Sequence, residues 1–447
     1  MKVTRKVLII TYYWPPENGV GVQRIMKFCK YLPQYGIHPV VLTISPERRT
    51  AGQPLLTQEG GASVARVHYW FDPARWFSGS SRLPAAEKKA PSKAGRSWLR
   101  DGINYLLHFI WLNFFIPDSK IGWYLPARKA IDAIMQTTDI SAVLTTGPPY
   151  TAHLLGLYVK NKYRLPWIVD ARDPWVENVN YNAVYRFGVV KAINQLLEKK
   201  VYQKADRIIT VGEKIAELIR NKIPDNSKLS IIYNGYDEEE FSNFHAVKNR
   251  HFKIGYYGSI LDTQIPISFF ASVGRLVKDN SQLAEDLIFE FFGPLTQKVK
   301  HEIERHIPAP NLHIGDNLPR QKLIEKLGEE QVLFLYIPQD PTSELIVSSK
   351  IFEYIRSGWP VLVIGPLQGE AGRIIRMANS GKVFAYDDKE GPSQFVLQHY
   401  KKWKQGGLTR NTYQNPVFER KEQTGQLARH FEELLEGKKI MSGAFPG

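Results

Sequence analysis

The sequence predicts an α/β protein of two doubly wound domains, each built around a parallel sheet. Three observations predict this class. Short apolar runs rich in β-branched residues alternate with helical stretches through the first half of the chain. A charged stretch without an apolar period, residues 237–250, interrupts this alternation, and the alternation then restarts. Strands that are apolar on both faces are typical of parallel sheets covered by helices, and repeated βα units favour an open sheet.

Seven strands are predicted before the charged stretch and six after it. They cover residues 7–11, 38–44, 62–70, 141–146, 166–171, 207–212 and 229–235, then 252–260, 287–293, 311–315, 332–337, 360–365 and 382–387. The predicted domains are residues 1–240 and 250–405, followed by a helix at 410–437 for which packing against the first domain is one option. Ligands of such sheets bind at the carboxyl ends of the strands, so we expect function in a cleft between the domains.

Length and composition narrow the class of protein. A chain of 447 residues is long enough for two domains, and its 43% hydrophobic and 23% charged residues exclude a disordered chain. No apolar run approaches the ~18–20 residues of a membrane span, and the first apolar run is predicted as a strand instead of a signal peptide. The single cysteine, Cys29, excludes an intramolecular disulfide and indicates a reducing compartment, so a cytoplasmic location is expected.

The net charge of +15 favours an anionic partner. A phosphorylated small molecule or a lipid surface fits better than nucleic acid, because no zinc-finger, RRM or KH motif accompanies the charge.

Two motifs could bind such an anion. After the first strand, Asn18, Gly19 and Gly21 form a glycine turn into a helix, whose free N–H groups would accept a phosphate; a plain turn is the alternative.

The second motif is VSSKIFEYIRSGWPVLVIGP, residues 347–366, a helix followed by a buried strand. Ser348 and Ser349 are good N-caps. Lys350 adds a cation in the first turn, where the helix dipole disfavours one unless an anion binds there. Glu353 follows on the same face, and an i,i+3 surface pair with Lys350 is the alternative.

Six stretches in order along both domains resemble the glycosyltransferases of family 4, which have the GT-B architecture of two Rossmann-like domains facing a nucleotide-sugar cleft. They are YYWPPENGVGVQRIMKFCKYLPQYGIHPVVLT (12–43), TGPPYTAHLLG (146–156), PWIVDARDPW (166–175), ADRIITVG (205–212), YNGYD (233–237) and SSKIFEYIRSGWPVLVIGP (348–366). The resemblance implies a retaining transfer of a sugar from a nucleoside diphosphate sugar to an acceptor hydroxyl.

The resemblance also implies roles for particular residues. The expected donor-binding residues are Gly19, Gly21, Arg24, Gly258, Ser349, Lys350 and Glu353. Glu353 matches the glutamate that holds the ribose. The family's other glutamate falls at Leu345, with Glu344 one residue early, and its two diphosphate cations fall at Ser259 and Gln264, so these matches fail. Lys350, Arg24 and Arg172 are the expected replacements for the missing cations.

The stretch DARDPW, residues 170–175, ends a strand where the family places acceptor-side or catalytic groups. Arg172 and Asp173 are the expected catalytic residues, and a structural Asp–Arg pair closing a loop is the alternative. Asp170 and His153 are expected on the acceptor side, although a buried or capping role is common for such a histidine.

No Asp-x-Asp motif is present, and the resemblance implies neither a metal nor a cofactor besides the nucleotide sugar. The expected acceptor is lipid-linked or a saccharide, in cell-surface polysaccharide or glycolipid biosynthesis. Two alternatives are a GT-B nucleotide-sugar epimerase and a non-catalytic membrane-associated partner. A nucleic-acid modifier is supported by charge alone.

Residues 71–97 form a predicted mobile loop with a net charge of +4, followed by an apolar helix at 98–116. One interpretation is a peripheral contact with anionic lipid on the inner face of the cell membrane. A helix buried under the first domain is the alternative.

Overall fold

The computed structural model describes residues 5–17, 19–45, 56–69, 115–177, 188–260, 262, 264–411 and 416–443. The predicted basic loop and nearly all of the predicted apolar helix lie outside these residues, as does Asn18. The chain divides into two compact units. The N-terminal unit comprises Met1–Val211, Ile215–Ile232 and Thr424–Gly447, and the C-terminal unit comprises Gly212–Lys214 and Tyr233–Gln423.

Each unit is built around one sheet. The described strands are β1 (Arg5–Ile10), β2 (Ile37–Ile44), β3 (Leu56–Glu59), β4 (Ala62–Val67), β5 (Ile140–Gly147), β6 (Trp167–Ala171), β7 (Arg207–Thr210), β8 (Leu229–Ile231), β9 (Phe252–Tyr257), β10 (Leu287–Phe292), β11 (Leu312–Gly315), β12 (Val332–Tyr336), β13 (Val361–Ile364) and β14 (Gly381–Phe384). All thirteen predicted strands are present. β3 was not predicted, because its sequence LTQE is polar and mostly exposed and lacks an apolar alternation.

The helices connect these strands. Among the described residues they are α1 (Val20–Tyr31), α2 (Tyr124–Thr137), α3 (Thr151–Tyr163), α4 (Gly188–Lys204), α5 (Glu213–Arg220), α6 (Ile267–Asp279), α7 (Ser281–Asp286), α8 (Gln297–His306), α9 (Arg320–Leu327), α10 (Lys350–Ser357), α11 (Glu370–Ala378), α12 (Gly391–Lys404) and α13 (Arg420–Gly443). In this described part of the chain no helix combines the length and apolarity that a membrane crossing requires.

The N-terminal sheet has the strand order β3-β4-β2-β1-β5-β6-β7-β8, and only its β3–β4 pair is antiparallel. The chain passes from β1 to β2, β3 and β4 on one side of β1 and then crosses to β5 on the other side. β1 and β5 therefore flank the topological switch point of the sheet. α1 packs its apolar face, including Phe28 and Cys29, onto β1. Leu427 and Phe431 of α13 join the same core, so this helix belongs to the N-terminal unit from Thr424 onward.

The C-terminal sheet is parallel throughout, with the order β11-β10-β9-β12-β13-β14. This is the doubly wound order in which β9 and β12 flank the switch point. Aromatic side chains fill its core: the Phe269 and Phe334 rings stack with centroids 4.2 Å apart. The predicted α/β class, with two doubly wound and mainly parallel sheets, is confirmed.

Residues 237–250, expected to link the domains, lie within the C-terminal unit, because the chain changes unit at Ile232 and Tyr233. Asp237 caps a 3-10 turn by accepting a hydrogen bond from the Glu239 N–H at 3.2 Å, and Phe241 in this turn is buried. The stretch lacks a helical or strand period, but its capped turn and its buried aromatic side chain attach it to the C-terminal unit.

Candidate functional site

The switch point of the C-terminal sheet brings Gly258 and Lys350 together. Gly258 follows β9 with φ +143°, a conformation that side chains rarely adopt. A Cβ at this position would collide with the ammonium of Lys350, the first residue of α10. The backbone conformation therefore requires glycine, and the Lys350 ammonium lies against the main chain at the end of β9.

Lys350 is a cation largely withdrawn from water. Its Nζ donates to the Tyr256 hydroxyl oxygen at 3.3 Å and lies 4.6 Å from the centroid of the Tyr256 ring. Burial lowers the pKa of Lys350 from 10.5 to about 8, and the nearby Glu353 carboxylate only partly opposes this shift. Among the described residues no carboxylate forms an ion pair with it. An ammonium in this position is stabilised by an anion arriving from solution.

Glu353 pairs with a residue that the sequence interpretation did not consider. It accepts a hydrogen bond from Arg320, at the start of α9, and not from Lys350. Arg320 also donates to Glu240 through Nε at 2.9 Å. Burial raises the pKa of Glu353, and Arg320 opposes the shift. The i,i+3 pair between Lys350 and Glu353 is thus not formed, which leaves the lysine available.

The remaining C-terminal predictions have mixed outcomes. Ser349 occupies the N-cap position of α10, but its side chain makes no capping hydrogen bond. Ser259 and Leu345 supply no charge where the family pattern expects it, and Gln264 supplies only a partly buried amide. Glu344 is exposed and pairs with Lys214 at 3.6 Å. Lys350 is the cation that the structure places at this switch point.

A cavity of about 140 Å³ also opens at the carboxyl edge of this sheet. Tyr336 and Tyr386 line it, and Gln339 and Asp388 give it polar groups. Neither Lys350 nor Glu353 lines the cavity, so the cation and the cavity are separate features of the same edge.

The N-terminal unit repeats the pairing of a glycine with a cation. A Cβ on Gly21, in the first turn of α1, would collide with the guanidinium of Arg172, which follows β6. Arg172 donates through Nε to Thr146 Oγ1 at 2.8 Å and through Nη2 to the Pro148 carbonyl at 2.9 Å. Among the described residues it has no carboxylate partner, so its charge is positioned by neutral groups.

Gly19 is exposed at the N-cap of α1, and its carbonyl accepts the first helical hydrogen bond, from the Gln23 N–H at 3.0 Å. Its backbone is extended, with φ −175°, so the conformation itself does not require glycine. The N–H groups of this first turn are where the sequence predicts phosphate binding.

Asp173 lies beside Arg172 without pairing to it. No described residue hydrogen-bonds its carboxyl group, which is partly buried. Burial raises the pKa of Asp173, and the Arg172 charge opposes the shift. The alternative of an Asp–Arg pair closing the loop is not formed. An unpaired carboxyl with a raised pKa at the end of a strand is typical of functional sites.

Arg24 and Asp170 instead form a buried structural pair. Both side chains are fully buried, with Arg24 Nη2 3.0 Å from Asp170 Oδ1 and Arg24 Nε 3.2 Å from both carboxylate oxygens. Thr146 also donates to Asp170, at 2.9 Å. These contacts correct two predictions: Arg24 has no exposed group for the donor, and Asp170 has none for an acceptor.

His153 is likewise internal. It is 1% exposed on α3, and its Nδ1 lies 2.8 Å from Thr145 Oγ1. Burial lowers the pKa of His153 to about 3, so the ring is neutral. The prediction of an acceptor-side role is corrected to the alternative of a buried structural histidine.

Sequence reasoning missed Thr146, Tyr256 and Arg320. Thr146 ends a predicted strand, where functional side chains concentrate, so that signal was present. Tyr256 lies in the middle of the predicted strand 252–260, and only the observed end of β9 at Tyr257 brings it to the carboxyl edge. Arg320 has no such signal, because only the packing of α9 beside α10 brings it to Glu353.

Residues 91–240 match the family model described as Glycosyltransferase Family 4. Over these residues the chain is similar to that family. The predicted family and enzyme class, a glycosyltransferase, are confirmed. No curated protein sequence matches the chain significantly.

Solved structures resemble this glycosyltransferase over nearly its whole length. A sucrose-phosphate synthase from Thermosynechococcus elongatus has a TM-score of 0.61 at 10% identity, covering 97% of this chain and 100% of the other. HepE from Anabaena, solved with UDP, has a TM-score of 0.61 at 10% identity, covering 96% and 100%. At such identities the likeness shows the fold, and it confirms the predicted GT-B class.

An α,α-trehalose-phosphate synthase (UDP-forming) from Burkholderia xenovorans is also similar. It was solved with glucose-6-phosphate, and its TM-score is 0.59 at 9% identity, covering 96% of this chain and 100% of the other.

Within the described residues, no three His, Cys, Asp or Glu side chains are grouped as metal ligands would be. The prediction of a metal-independent site stays a prediction.

Proposed function

We propose that the protein is a retaining glycosyltransferase that moves a sugar from a nucleoside diphosphate sugar to a hydroxyl of a lipid-linked or saccharide acceptor. One observation carries the proposal: Lys350 lies on Gly258 without a carboxylate partner among the described residues, at the switch point of the C-terminal sheet. A diphosphate supplies the anion that this ammonium lacks. Open α/β sheets bind their ligands at this position.

A UDP-sugar is the first donor to test. HepE was solved with UDP and with UDP-glucose, and it has the same fold as this chain. The trehalose-phosphate synthase was solved with glucose-6-phosphate, which supports a saccharide as one class of acceptor.

The chemistry requires stabilisation of the leaving group. The acceptor oxygen bonds to the anomeric carbon, the bond from that carbon to the diphosphate oxygen breaks, and the acceptor proton passes to the departing diphosphate. Negative charge develops on the diphosphate as the bond breaks. Lys350, with its low pKa and its fixed position over Tyr256, neutralises that charge without reorganising. Retention of configuration rests on the family resemblance.

Two carboxyl groups complete the proposal. Glu353, held by Arg320, binds the ribose hydroxyls of the donor. Asp173, unpaired among the described residues, orients the acceptor hydroxyl, and Arg172 lies beside it as a second cation. Orientation of this kind lowers a barrier because it removes freedom before the reaction begins.

We place this activity in the cytoplasm, at the inner face of the cell membrane, in the synthesis of a cell-surface polysaccharide or glycolipid. The lone cysteine fits a reducing compartment, and the +15 net charge fits an anionic surface.

The test incubates the full chain with each nucleoside diphosphate hexose, with and without saccharide and polyprenyl-phosphate-linked acceptors. We expect nucleoside diphosphate release that depends on the acceptor, together with a glycosylated product in which the donor anomer is retained. Sugar epimerisation without an acceptor would support the epimerase instead. Binding without turnover would support a non-catalytic partner.

Glu353→Gln sharpens the donor assignment. The amide keeps the shape of the side chain and removes the charge that binds hydroxyl groups, so UDP affinity is expected to fall by about tenfold. Glu325→Gln, an exposed carboxylate paired with Lys322 on α9, is the matched control and leaves affinity unchanged. Equal affinities in the two variants would remove Glu353 from the site.

A further inference from the structure

Helix α4 of the N-terminal unit has an apolar stripe that faces away from its own core. Val189 is 65% exposed, Ile193 38% and Leu196 69%. Their spacing of four and three residues places them on one side of the helix. The opposite side, including Val190 and Val201, is buried. The core of the unit therefore does not account for the stripe.

The charges around this stripe are of one sign. Lys191, Lys199, Lys200 and Lys204 are exposed on α4, and none forms an ion pair with a described residue. Lys200 continues the stripe one turn beyond Leu196, since it follows at i+4. The helix has one acidic residue, Glu198, which is buried and lies 2.9 Å from the Lys222 ammonium. The outer face of α4 is thus apolar and positive without an exposed acid.

We propose that the outer face of α4, defined by Val189, Ile193, Leu196 and the flanking lysines, is a surface that binds an anionic phospholipid bilayer. A helix with aliphatic residues and lysines lies in a membrane interface, with the aliphatic groups at the acyl boundary and the ammonium groups at the phosphates.

Composition favours lipid over an acidic protein as the occupant. Protein interfaces are enriched in Tyr, Trp and Arg and depleted in Lys. The exposed residues of α4 include neither an aromatic residue nor an arginine. The lysines decide between the two, because interfacial helices are rich in lysine on their polar face, beside apolar residues such as leucine.

This inference goes beyond the proposed sugar transfer, because vesicle binding requires neither donor nor acceptor. It is also separate from residues 71–97, for which the sequence predicts lipid contact. Failure of the α4 surface would leave the transferase proposal untouched.

The first experiment is co-sedimentation of the full chain with vesicles of phosphatidylcholine, with and without phosphatidylglycerol. We expect binding to the anionic vesicles that decreases with salt. Each lysine near such a surface contributes about a fivefold change in partitioning, so Lys199→Gln, Lys200→Gln and Lys204→Gln together should weaken binding by about 100-fold. The matched control, Lys389→Gln, Lys401→Gln and Lys402→Gln in the C-terminal unit, removes the same charge from exposed positions and leaves binding unchanged.

A paired variant tests the apolar part of the surface. Val189→Gln with Leu196→Gln should weaken binding to anionic vesicles by about tenfold or more, since both aliphatic side chains then stay in water. Leu125→Gln on α2, a residue 50% exposed in the same unit, is the control. Substitutions at exposed helix positions leave stability nearly unchanged, so loss of binding does not reflect unfolding.

The second experiment locates the contact. Cys29, the single cysteine of the chain, is fully buried, so Leu196→Cys provides one accessible thiol for an environment-sensitive fluorophore. We expect a blue shift on addition of phosphatidylglycerol vesicles and none for a label at Leu125→Cys. An unshifted Leu196→Cys label on vesicle-bound protein, binding retained by all α4 variants, or no vesicle binding by the wild type would each overturn the proposal. Capture of an acidic protein by α4 with no lipid binding would do the same.

Discussion

Arg24 in the N-terminal unit and Lys350 in the C-terminal unit are both cations withdrawn from water, but their surroundings differ. Arg24 is fully buried and makes three hydrogen bonds to Asp170. Lys350 has a tyrosine hydroxyl and ring beside it, and no described carboxylate pairs with it. The sequence interpretation placed both cations at the donor.

The presence or absence of a carboxylate partner distinguishes a charge that stabilises the fold from a charge that can bind a ligand. A buried ion pair is complete within the protein, and removing one member leaves the other uncompensated. A desolvated cation with no counter-ion costs stability, and an arriving anion recovers that cost as binding energy. Burial alone does not distinguish the two cases, whereas the presence of a carboxylate partner does.

The largest effect is expected from Arg24→Met, which breaks the buried pair. Because Asp170 is left buried and unpaired, the free energy of unfolding should fall by about 3–5 kcal/mol. Urea denaturation followed by circular dichroism measures the change. Adding Asp170→Leu removes the orphaned charge and should restore much of the loss. A single variant as stable as the wild type would mean that the pair is not structural.

The converse change, Lys350→Met, should leave the free energy of unfolding unchanged or slightly higher, since it removes a desolvated charge. Affinity for UDP should fall by roughly 10- to 100-fold, because a charged hydrogen bond contributes about 1.5–3 kcal/mol. Calorimetry measures the affinity, and Lys389→Met, an exposed lysine of the same unit, is the control. A clear loss of stability with intact UDP binding would reverse the comparison.

Asp173→Asn tests whether an unpaired carboxyl is functional in the N-terminal unit too. We expect kcat to fall by about tenfold with little change in UDP affinity, since the group acts on the acceptor. Steady-state transfer kinetics and calorimetry separate the two quantities. Asp139→Asn, an exposed carboxylate of the same unit, should behave as the wild type. Normal turnover in Asp173→Asn would remove Asp173 from the acceptor site.

The smallest expected effect is the uptake of protons when a diphosphate binds. With a pKa of about 8, Lys350 is half charged at pH 8, so a bound diphosphate that raises this pKa should take up about half a proton there. Uptake should fade below pH 7, where the lysine is already charged, and Lys350→Met should abolish it. Calorimetry in buffers of different ionisation enthalpy measures the uptake, and no difference between buffers at pH 8 would contradict the low pKa.

The lowered pKa of Lys350 also determines whether its contribution to the stability of the fold rises or falls with pH. Since the folded value lies below the ordinary 10.5, the unfolded chain binds more protons between about pH 8 and 10.5. The contribution of Lys350 to stability therefore rises with pH across that window.

The strands of both sheets could be predicted from local sequence, because each buried parallel strand is a short apolar run that can be recognised without its neighbours. Asp173 and the glycines after β1 are candidates because they follow strand ends, and Lys350 is one because it begins a helix; their roles stay predictions. The polar edge strand β3 could not be predicted, because its pairing with β4 and not its composition makes it a strand.

Which charges have a partner could not be predicted, because it depends on contacts between distant parts of the chain. Arg24 and Asp170 are 146 residues apart, and Arg320 and Glu353 are 33 apart, so no local pattern predicts either pair. Strand formation depends on periodic burial, which is encoded within a few residues. The role of a charge depends on whether a counter-charge lies within hydrogen-bonding distance after folding, and long-range packing sets that distance.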